Sequence, residues 1–278
     1  MLFLRRLGAV AAVLGLVACA AGSPQTRVFD PQRVAQIIQL LPADVILLGE
    51  QHDAPDHQRI HQLAVETLAT QHALAALALE MAPQGHSTEK LPSDANEEQV
   101  RAALAWDNNA WPWHAYGPAV MAAVRAGVPV VGANLPASRQ REAMLNTALD
   151  KLLSSAALKA QQQAVRSGHC DMLPESQIAP MTRIQIARDR AMAETTQGRA
   201  QAGKTVLLLA GSGHVDRSLG VPLHLAQSFK AKAVMLHASH AQPAIESIAY
   251  FDQVWATQPA PVVDYCGEFA ARKPPPAP

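Results

Sequence analysis

Aromatic residues make up only 4% of this 278-residue chain, cysteine occurs three times, and neither sign of charge is in excess. Each shortage excludes something. With 23 Lys and Arg against 23 Asp and Glu, there is no basic field to grip a nucleic-acid backbone, and no acidic block of the kind that keeps a tail solvated. Three cysteines cannot build a disulfide-dense scaffold, and 49% apolar residues at this length bury a core without one. There is no Gly-x-Ser-x-Gly elbow, which removes the usual serine-triad turn. "AGSGHV" (Ala210–Val215) has glycines but incomplete Gly-x-Gly spacing and no P-loop lysine, so nucleotide phosphates lack their usual anchors. No apolar run suits a transmembrane helix: "LGAVAAVLGLVAC", after Arg5 and Arg6, is too short and too early.

That early run has the charged and apolar regions of a secretory signal. Its end, Leu16-Val17-Ala18-Cys19, resembles the lipobox of bacterial lipoproteins, in which the cysteine is lipidated and becomes the first residue. Ordinary signal cleavage near Ala18 or Ala21 is the alternative. Ala20, in place of an aspartate, resembles sorting signals for the outer membrane, so a lipid-anchored outer-membrane protein facing the periplasm is expected. The expected organisation is a signal peptide over 1–18, a tether over 19–28, one α/β domain over 29–268, and a disordered tail over 269–278, where "RKPPPAP" can neither hold a helix nor donate to a sheet. In an exported protein the remaining cysteines, Cys170 and Cys266, read either as a disulfide or as two unrelated buried thiols.

Between these ends, short apolar runs alternate with helical patterns. "DVILLGE", "LAALALEM", "VPVVGAN", "KTVLLLAGSGH", "AKAVMLHA" and "SIAYFDQVW" read as strands buried on both faces, the habit of a parallel sheet covered by helices. Residues 56–71 place Ile60, Leu63, Ala64, Thr67 and Leu68 on one helical face; 138–153 and 174–197 also read as helices. The pattern predicts an α/β fold with a mostly parallel central sheet and right-handed crossovers. Residues 83–126 and 135–202 exceed what one crossover needs, and are read as helical insertions forming a cap.

The strand ends carry the chemistry. The first run stops at Gly49-Glu50-Gln51-His52-Asp53, the second at Glu80, the third at Gly132 and Asn134, the fourth at Gly211-Ser212-Gly213-His214. A parallel sheet brings all carboxyl ends to one edge, where open α/β proteins bind ligands, so Glu50, His52, Glu80, Asn134 and His214 converge. A single histidine after a strand is more often a turn or core residue; the same pattern on several strands argues for a shared polar site. Such a set could hydrolyse an ester or peptide, with Glu50 or Glu80 as general base, the other carboxylate holding a histidine, and His214 as proton donor, or with a divalent metal activating water. His57 and His61, on one face at a helix start, could join His52 and Glu50 around zinc; otherwise His61 is solvated.

A second cluster, "WDNNAWPWHAYGP" (Trp106–Pro118), holds three of the four tryptophans. It serves either as an apolar anchor for a cap helix or as a slot for a flat ligand. A large planar macrocycle needs apolar walls, supplied here by Trp111 and Trp113. It needs an axial iron ligand, for which Tyr116, His114 and His86 are candidates. It also needs cations for its propionates: Arg125, Arg139 or Arg141.

"LLGEQHDAPDHQ", "LALEM", "WPWHAYGP", "VVGAN", "RIQIARDRAMA" and "LLAGSGHV…GVP" together resemble the ChaN-like haem-binding lipoproteins, of a superfamily shared with Tiki/TraB proteins and erythromycin esterases. The match points run in order from Leu47 to Pro222. The resemblance implies haem as ligand and a role in haem or iron acquisition or storage at the outer membrane or periplasm. It makes Glu50, His52, Glu80 and His214 the superfamily's polar site and Tyr116 the first iron ligand to carry over. Expected partners are haem, a membrane through the lipid anchor, a haem-uptake receptor or transporter, and a second copy in a haem-linked homodimer, with no nucleic acid.

Overall fold

A computed structural model of the chain describes residues 30–238 and 248–272. The signal segment, Cys19 and the tether lie outside the described residues, as do the last six residues of the tail. Among the described residues no helix is long and apolar enough to cross a membrane.

The six apolar runs form one sheet. Its strands are β1 (Val45–Glu50), β2 (Leu74–Pro83), β3 (Val130–Asn134), β4 (Thr205–Gly211), β5 (Ala231–His237) and β6 (Gln253–Ala256). They lie in the order β3-β2-β4-β1-β5-β6, and every pairing is parallel, including the edge strand after Tyr250. Every residue of β1 and β4 is buried, as a strand covered on both faces must be.

The two faces are built differently. Along "LAALALEM", Leu77 and Leu79 turn towards α2 (Pro55–Thr70) and α4 (Trp113–Arg125), together with Ile60, Ala64, Leu68, Val120 and Ala123. Ala76 and Ala78 turn the other way, onto Met192 and Ala193 of α7 (Glu175–Gly198). Alternating large and small residues thus give one thick layer and one close approach. Each buried leucine is worth about 1.5–3 kcal/mol over an exposed one, so the strand pattern fixes both layers.

Before the sheet comes α1 (Pro31–Gln39), which buries Ile37. Residues 83–126 hold α3 (Glu97–Ala103), started by an Asn96–Gln99 capping box, and α4. Residues 135–202 hold α5 (Ala137–Leu145), α6 (Ser155–Gly168) and α7. The single helix expected over 138–153 is broken: the Asn146 side chain accepts the Ala148 N–H and caps a separate 3-10 turn, Thr147–Leu152. The helix α6 begins where the Ser154 side chain accepts the Ala157 N–H. After β4 come α8 (Ser212–Val215) and, near the end, α9 (Tyr265–Arg272). That last helix runs past 268, where the sequence suggested that order stops. A Cys170–Cys266 disulfide ties it to the turn after α6.

From β1 the chain passes through α2 to β2, beyond β4; from β4 it passes to β5, beyond β1. These opposite departures open a crevice above the carboxyl ends of the adjacent β1 and β4, where Glu50 is registered with Gly211.

Candidate functional site

Glu50 closes β1 and is 1% exposed. Its Oε1 accepts one hydrogen bond from His52 Nδ1 at 2.7 Å and another from the Tyr116 hydroxyl at 2.7 Å. Its Oε2 makes no hydrogen bond and lies 3.6 Å from Nε2 of the buried His61. Burial acts to raise this carboxyl, but the neighbouring His61 and His52 and the two hydrogen bonds outweigh it, so Glu50 stays below the ordinary carboxylate range. Burial drives His61 the other way, below the usual histidine value, with Glu50 only partly compensating.

Glu80 lies on β2, two strands away. Its Oε2 accepts the Gly211 N–H at 2.7 Å, and its Oε1 is 3.5 Å from His214 Nε2. His214, in α8, donates through Nδ1 to Asp189 Oδ1 of α7 at 2.6 Å. Burial opposes charge on all three groups. Against it, His214 and His52 pull Glu80 down to about 2, while Glu80 and Asp189 push His214 up to about 10. Burial prevails at Asp189, raised to about 6 despite His214. His214 is therefore an imidazolium at neutral pH, held between two acids. Burial would lower His52, but its bond to Glu50 and the field of Glu80 raise it.

Glycines make this closeness possible. A Cβ on Gly211 would meet His52 Nε2 at 3.0 Å, and one on Gly49 would meet Val215 Cγ2 at 2.3 Å. Any side chain at either place would push α8 or His52 off its carboxylate.

Above this floor lies a cleft of about 640 Å³. Glu50, His52 and His214 line its base. Ala164, Val165 and Gly168 of α6 form an apolar wall, followed by His169, and Tyr265 of α9 stands on the rim. The Tyr265 hydroxyl donates to Asp53 in the turn after β1.

The structure brings Glu50, His52, Glu80 and His214 together. Asn134 goes elsewhere: its amide donates to the Glu80 carbonyl at 2.9 Å, bracing the irregular end of β2 against β3, and it does not line the cleft. The second strand does not stop at Glu80 but continues to Pro83.

The aromatic cluster is chiefly packing. Trp113 is buried and donates to Glu97 at 2.8 Å, His114 is exposed on α4, and neither lines the cleft. Trp111 touches the site, its ring edge-on to His52 at 4.8 Å. Tyr116 is 2% exposed with its hydroxyl committed to Glu50. Burial and that carboxylate push its phenol far up, whereas ligation to iron needs an accessible phenolate. His86 lies outside the cleft lining. Arg125 is bonded to the Ser93 and Ala95 carbonyls, Arg139 lies 3.9 Å from Glu142, and Arg141 is on α5; none reaches the cleft.

His57 accepts the Gln51 N–H at Nδ1 and meets Thr257 Oγ1 at Nε2, so both ring nitrogens are occupied and unavailable to a metal. His61 is buried against Glu50 rather than solvated. Among the described residues no three His, Cys, Asp or Glu side chains form a group able to hold a metal ion. Sequence reasoning missed Asp189, His169 and Tyr265. Asp189 sits inside the quoted "RIQIARDRAMA", but helical periodicity does not say which polar residue of a long helix faces inward.

The family described as haem-binding uptake, Tiki superfamily, ChaN matches residues 37–225. The chain belongs to this family. Among solved structures, this ChaN-family chain is similar to one described as cofacial heme binding to ChaN of Campylobacter jejuni, with 28% identity, a TM-score of 0.63, and coverage of 75% of this chain and 87% of that one. It also matches the type III effector HopBA1 at 13% identity and a TM-score of 0.48, covering 82% of this chain and 94% of the other. No curated protein matches it in sequence.

Proposed function

We propose that this ChaN-family chain is a haem-binding lipoprotein that takes up haem in the cleft above β1 and β4, for acquisition or storage of haem iron at the outer membrane or in the periplasm. The observation that carries the reading is the coincidence of family and cavity: a chain 28% identical over 75% of its length to a protein described as binding haem cofacially has an open cleft of about 640 Å³ at its ligand-binding edge. That volume lies in the range of small-molecule and cofactor sites, roughly 300–1,000 Å³.

The residues present fit a flat iron macrocycle only along one side of the cleft. Ala164, Val165 and Gly168 form one narrow apolar strip on which a ring could lie, beside the polar Gln161, Gln185 and Ser212 and the acids Glu50, Asp53 and Asp189. No arginine or lysine is among the lining residues, so the cleft itself offers the propionates no cationic partner. Bound haem supplies a ferric Lewis acid; the protein's part is to bind it, orient it and exclude water from one face. The insertions over 83–126 and 135–202 form the cap of a single α/β domain, Cys19 carries the lipid anchor, and a haem-uptake receptor or transporter exchanges haem with the cleft. A haem-linked homodimer suits a cleft open on one side.

The test is a haem titration of the soluble form beginning at Ser23, followed by absorbance, with mass measured before and after. A shifted Soret band, and a dimer formed only with haem, support the reading. No shift up to tens of micromolar haem refutes it.

One observation favours a second reading, hydrolysis. Asp189, His214 and Glu80 form an acid–imidazolium–acid chain whose Asp189 and His214 line the cleft, beside the His52–Glu50 pair. This is more acid–base machinery than holding haem requires. Loss of an ester or peptide cleavage in Glu80→Gln with haem binding intact would establish that activity. Absence of cleavage across esterase and peptidase panels, with or without added divalent metal, removes it.

A further inference from the structure

We propose that the segment after β6 is a redox-released strap across the mouth of the cleft. The Cys170–Cys266 bond pins it down, and reduction by a dithiol lets it swing clear. The inference goes beyond haem binding, since it concerns access to the polar floor whatever ligand enters.

The strap has a fixed end, an arm and a movable end. At the sheet edge, the Thr257 N–H donates to the His237 carbonyl at 3.0 Å, and its hydroxyl meets Nε2 of the buried His57 at 2.9 Å. The Gln258 N–H donates to Asp56 at 3.1 Å. Residues 261–264, "PVVD", then run with neither helix nor strand, all exposed, Val262 by 97%. Beyond this arm α9 reaches the cleft. Tyr265 lines it and donates to Asp53 in the turn after β1, while Cys266 is bonded to Cys170, next to the end of α6. The chain therefore joins the β1 side of the mouth to the α6 side.

The two halves of the disulfide are supported unequally. Cys170 sits in a left-handed turn that backbone bonds hold without it: its N–H donates to the Ser167 carbonyl at 3.0 Å, and the Asp171 N–H to the Arg166 carbonyl at 2.9 Å. The Arg166 guanidinium is paired with Glu175 at the start of α7. Helix α9 has eight residues, too few to be stable alone in water. Its side chains described from Tyr265 to Ala271 are all exposed, so they bury little apolar surface to keep it docked. Water competes for both groups of the exposed Tyr265–Asp53 hydrogen bond. When the sulfur bond is cut, the turn after α6 stays and α9 moves.

The exposed partner is Cys266; Cys170 is half-buried. A thiolate of the dithiol attacks Cys266 Sγ, the sulfur–sulfur bond breaks, and its electron pair goes to Cys170 Sγ, which takes a proton. The donor's second thiolate attacks the mixed disulfide, leaving Cys266 as a thiol and the donor oxidised to its own disulfide. Two electrons pass, and the reverse exchange with an oxidised dithiol closes the strap again.

The experiment treats the soluble chain from Ser23 with dithiothreitol in native buffer and counts thiols by alkylation and mass. Deuterium uptake, and carbethoxylation of the cleft-lining His52, are then compared in oxidised, reduced and re-oxidised protein and in Cys266→Ser. The bond should open without denaturant. Amides of 261–272 should exchange at least about tenfold faster, as a locally released segment does, and His52 should react faster. Amides of β1 and β4 should keep their protection, and re-oxidation should restore the starting rates. A bond that yields only in denaturant, unchanged exchange in α9, or unchanged His52 reactivity overturns the proposal. So does protection lost from β1 and β4 as well, which would make the bond a brace of the whole fold. None of these readouts uses haem, so a missing Soret shift would sink the haem reading and leave the strap to be judged on its own.

Discussion

Replacing Tyr116 by phenylalanine separates a structural tyrosine from a ligand. The hydroxyl donates to the ionised, 1% exposed Glu50 at 2.7 Å, and a hydrogen bond to a charged group contributes about 1.5–3 kcal/mol. The ring itself is unchanged, and keeps its contacts with Trp106 and Trp111 at centroid distances of 6.0 and 5.9 Å, so no cavity term adds. The expected loss is therefore about 1.5–3 kcal/mol, or roughly 3–12 °C in Tm for a chain of this size. The pH dependence gives a second check. Glu50 has a depressed carboxyl in the folded state, so its contribution is present above the ordinary value of 4.5 and is lost as pH falls through the folded value. The stability gap between parent and Tyr116→Phe should be full at pH 7 and shrink in acid. Urea unfolding at several pH values, followed by circular dichroism and paired with haem titration, measures both quantities. A Soret band altered with stability unchanged would refute the reasoning and return Tyr116 to the iron.

Other expectations concern the scaffold. Burial and His61 lower His57 to about 4; the unfolded chain then binds the proton more readily, so stability is full above about 6.5 and falls between there and 4, and His57→Gln should flatten that limb of a Tm–pH curve. Gly49→Ala sets a Cβ 2.3 Å from Val215 Cγ2 and 3.0 Å from the Ser212 Cα; an overpacking loss of about 1–3 kcal/mol by urea unfolding is expected. The Cys170–Cys266 bond spans 96 residues, so reduction should cost up to about 4–5 kcal/mol in the chain-entropy account; equal Tm with and without reductant would show that α9 is not held this way.

Much of this architecture is legible in the sequence because a parallel sheet leaves an unambiguous signal. Runs such as Val45–Leu48 and Val206–Leu209 are apolar without alternation, and all six runs became strands. The polar floor is legible for the same reason: Glu50, His52 and His214 stand where such runs stop, and strand ends share an edge. What sequence cannot show is rotation about a helix axis and closure between distant segments. "WPWHAYGP" reads equally as an anchor or a ligand slot; in the structure α4 packs on α2, the Tyr116 hydroxyl is spent on Glu50, and Trp111 meets His52. Asn134 ends a strand as Glu50 does, but its amide is drawn onto the neighbouring Glu80 carbonyl. His169 and Tyr265 lie in stretches with no periodic or motif signal, each next to a cysteine of the Cys170–Cys266 disulfide.

The cleft thus has two parts with different physics. Its floor is a set of buried charges that exist only because they face one another: Glu50, Glu80 and Asp189 are each 5% exposed or less, and no carboxylate stays ionised there without His52, His61 or His214 beside it. Removing one member strands the others, so floor variants must act first through stability and its pH dependence. The rim is held otherwise: the Cys170–Cys266 disulfide joins the end of α6 to α9, and the Tyr265 hydroxyl donates to Asp53. Rim variants should alter a ligand's spectrum and affinity while leaving unfolding nearly unchanged. If haem binding instead followed the floor, with Glu80→Gln abolishing it in a folded protein, the ligand would sit on the carboxylates themselves and the division argued from these distances would be wrong.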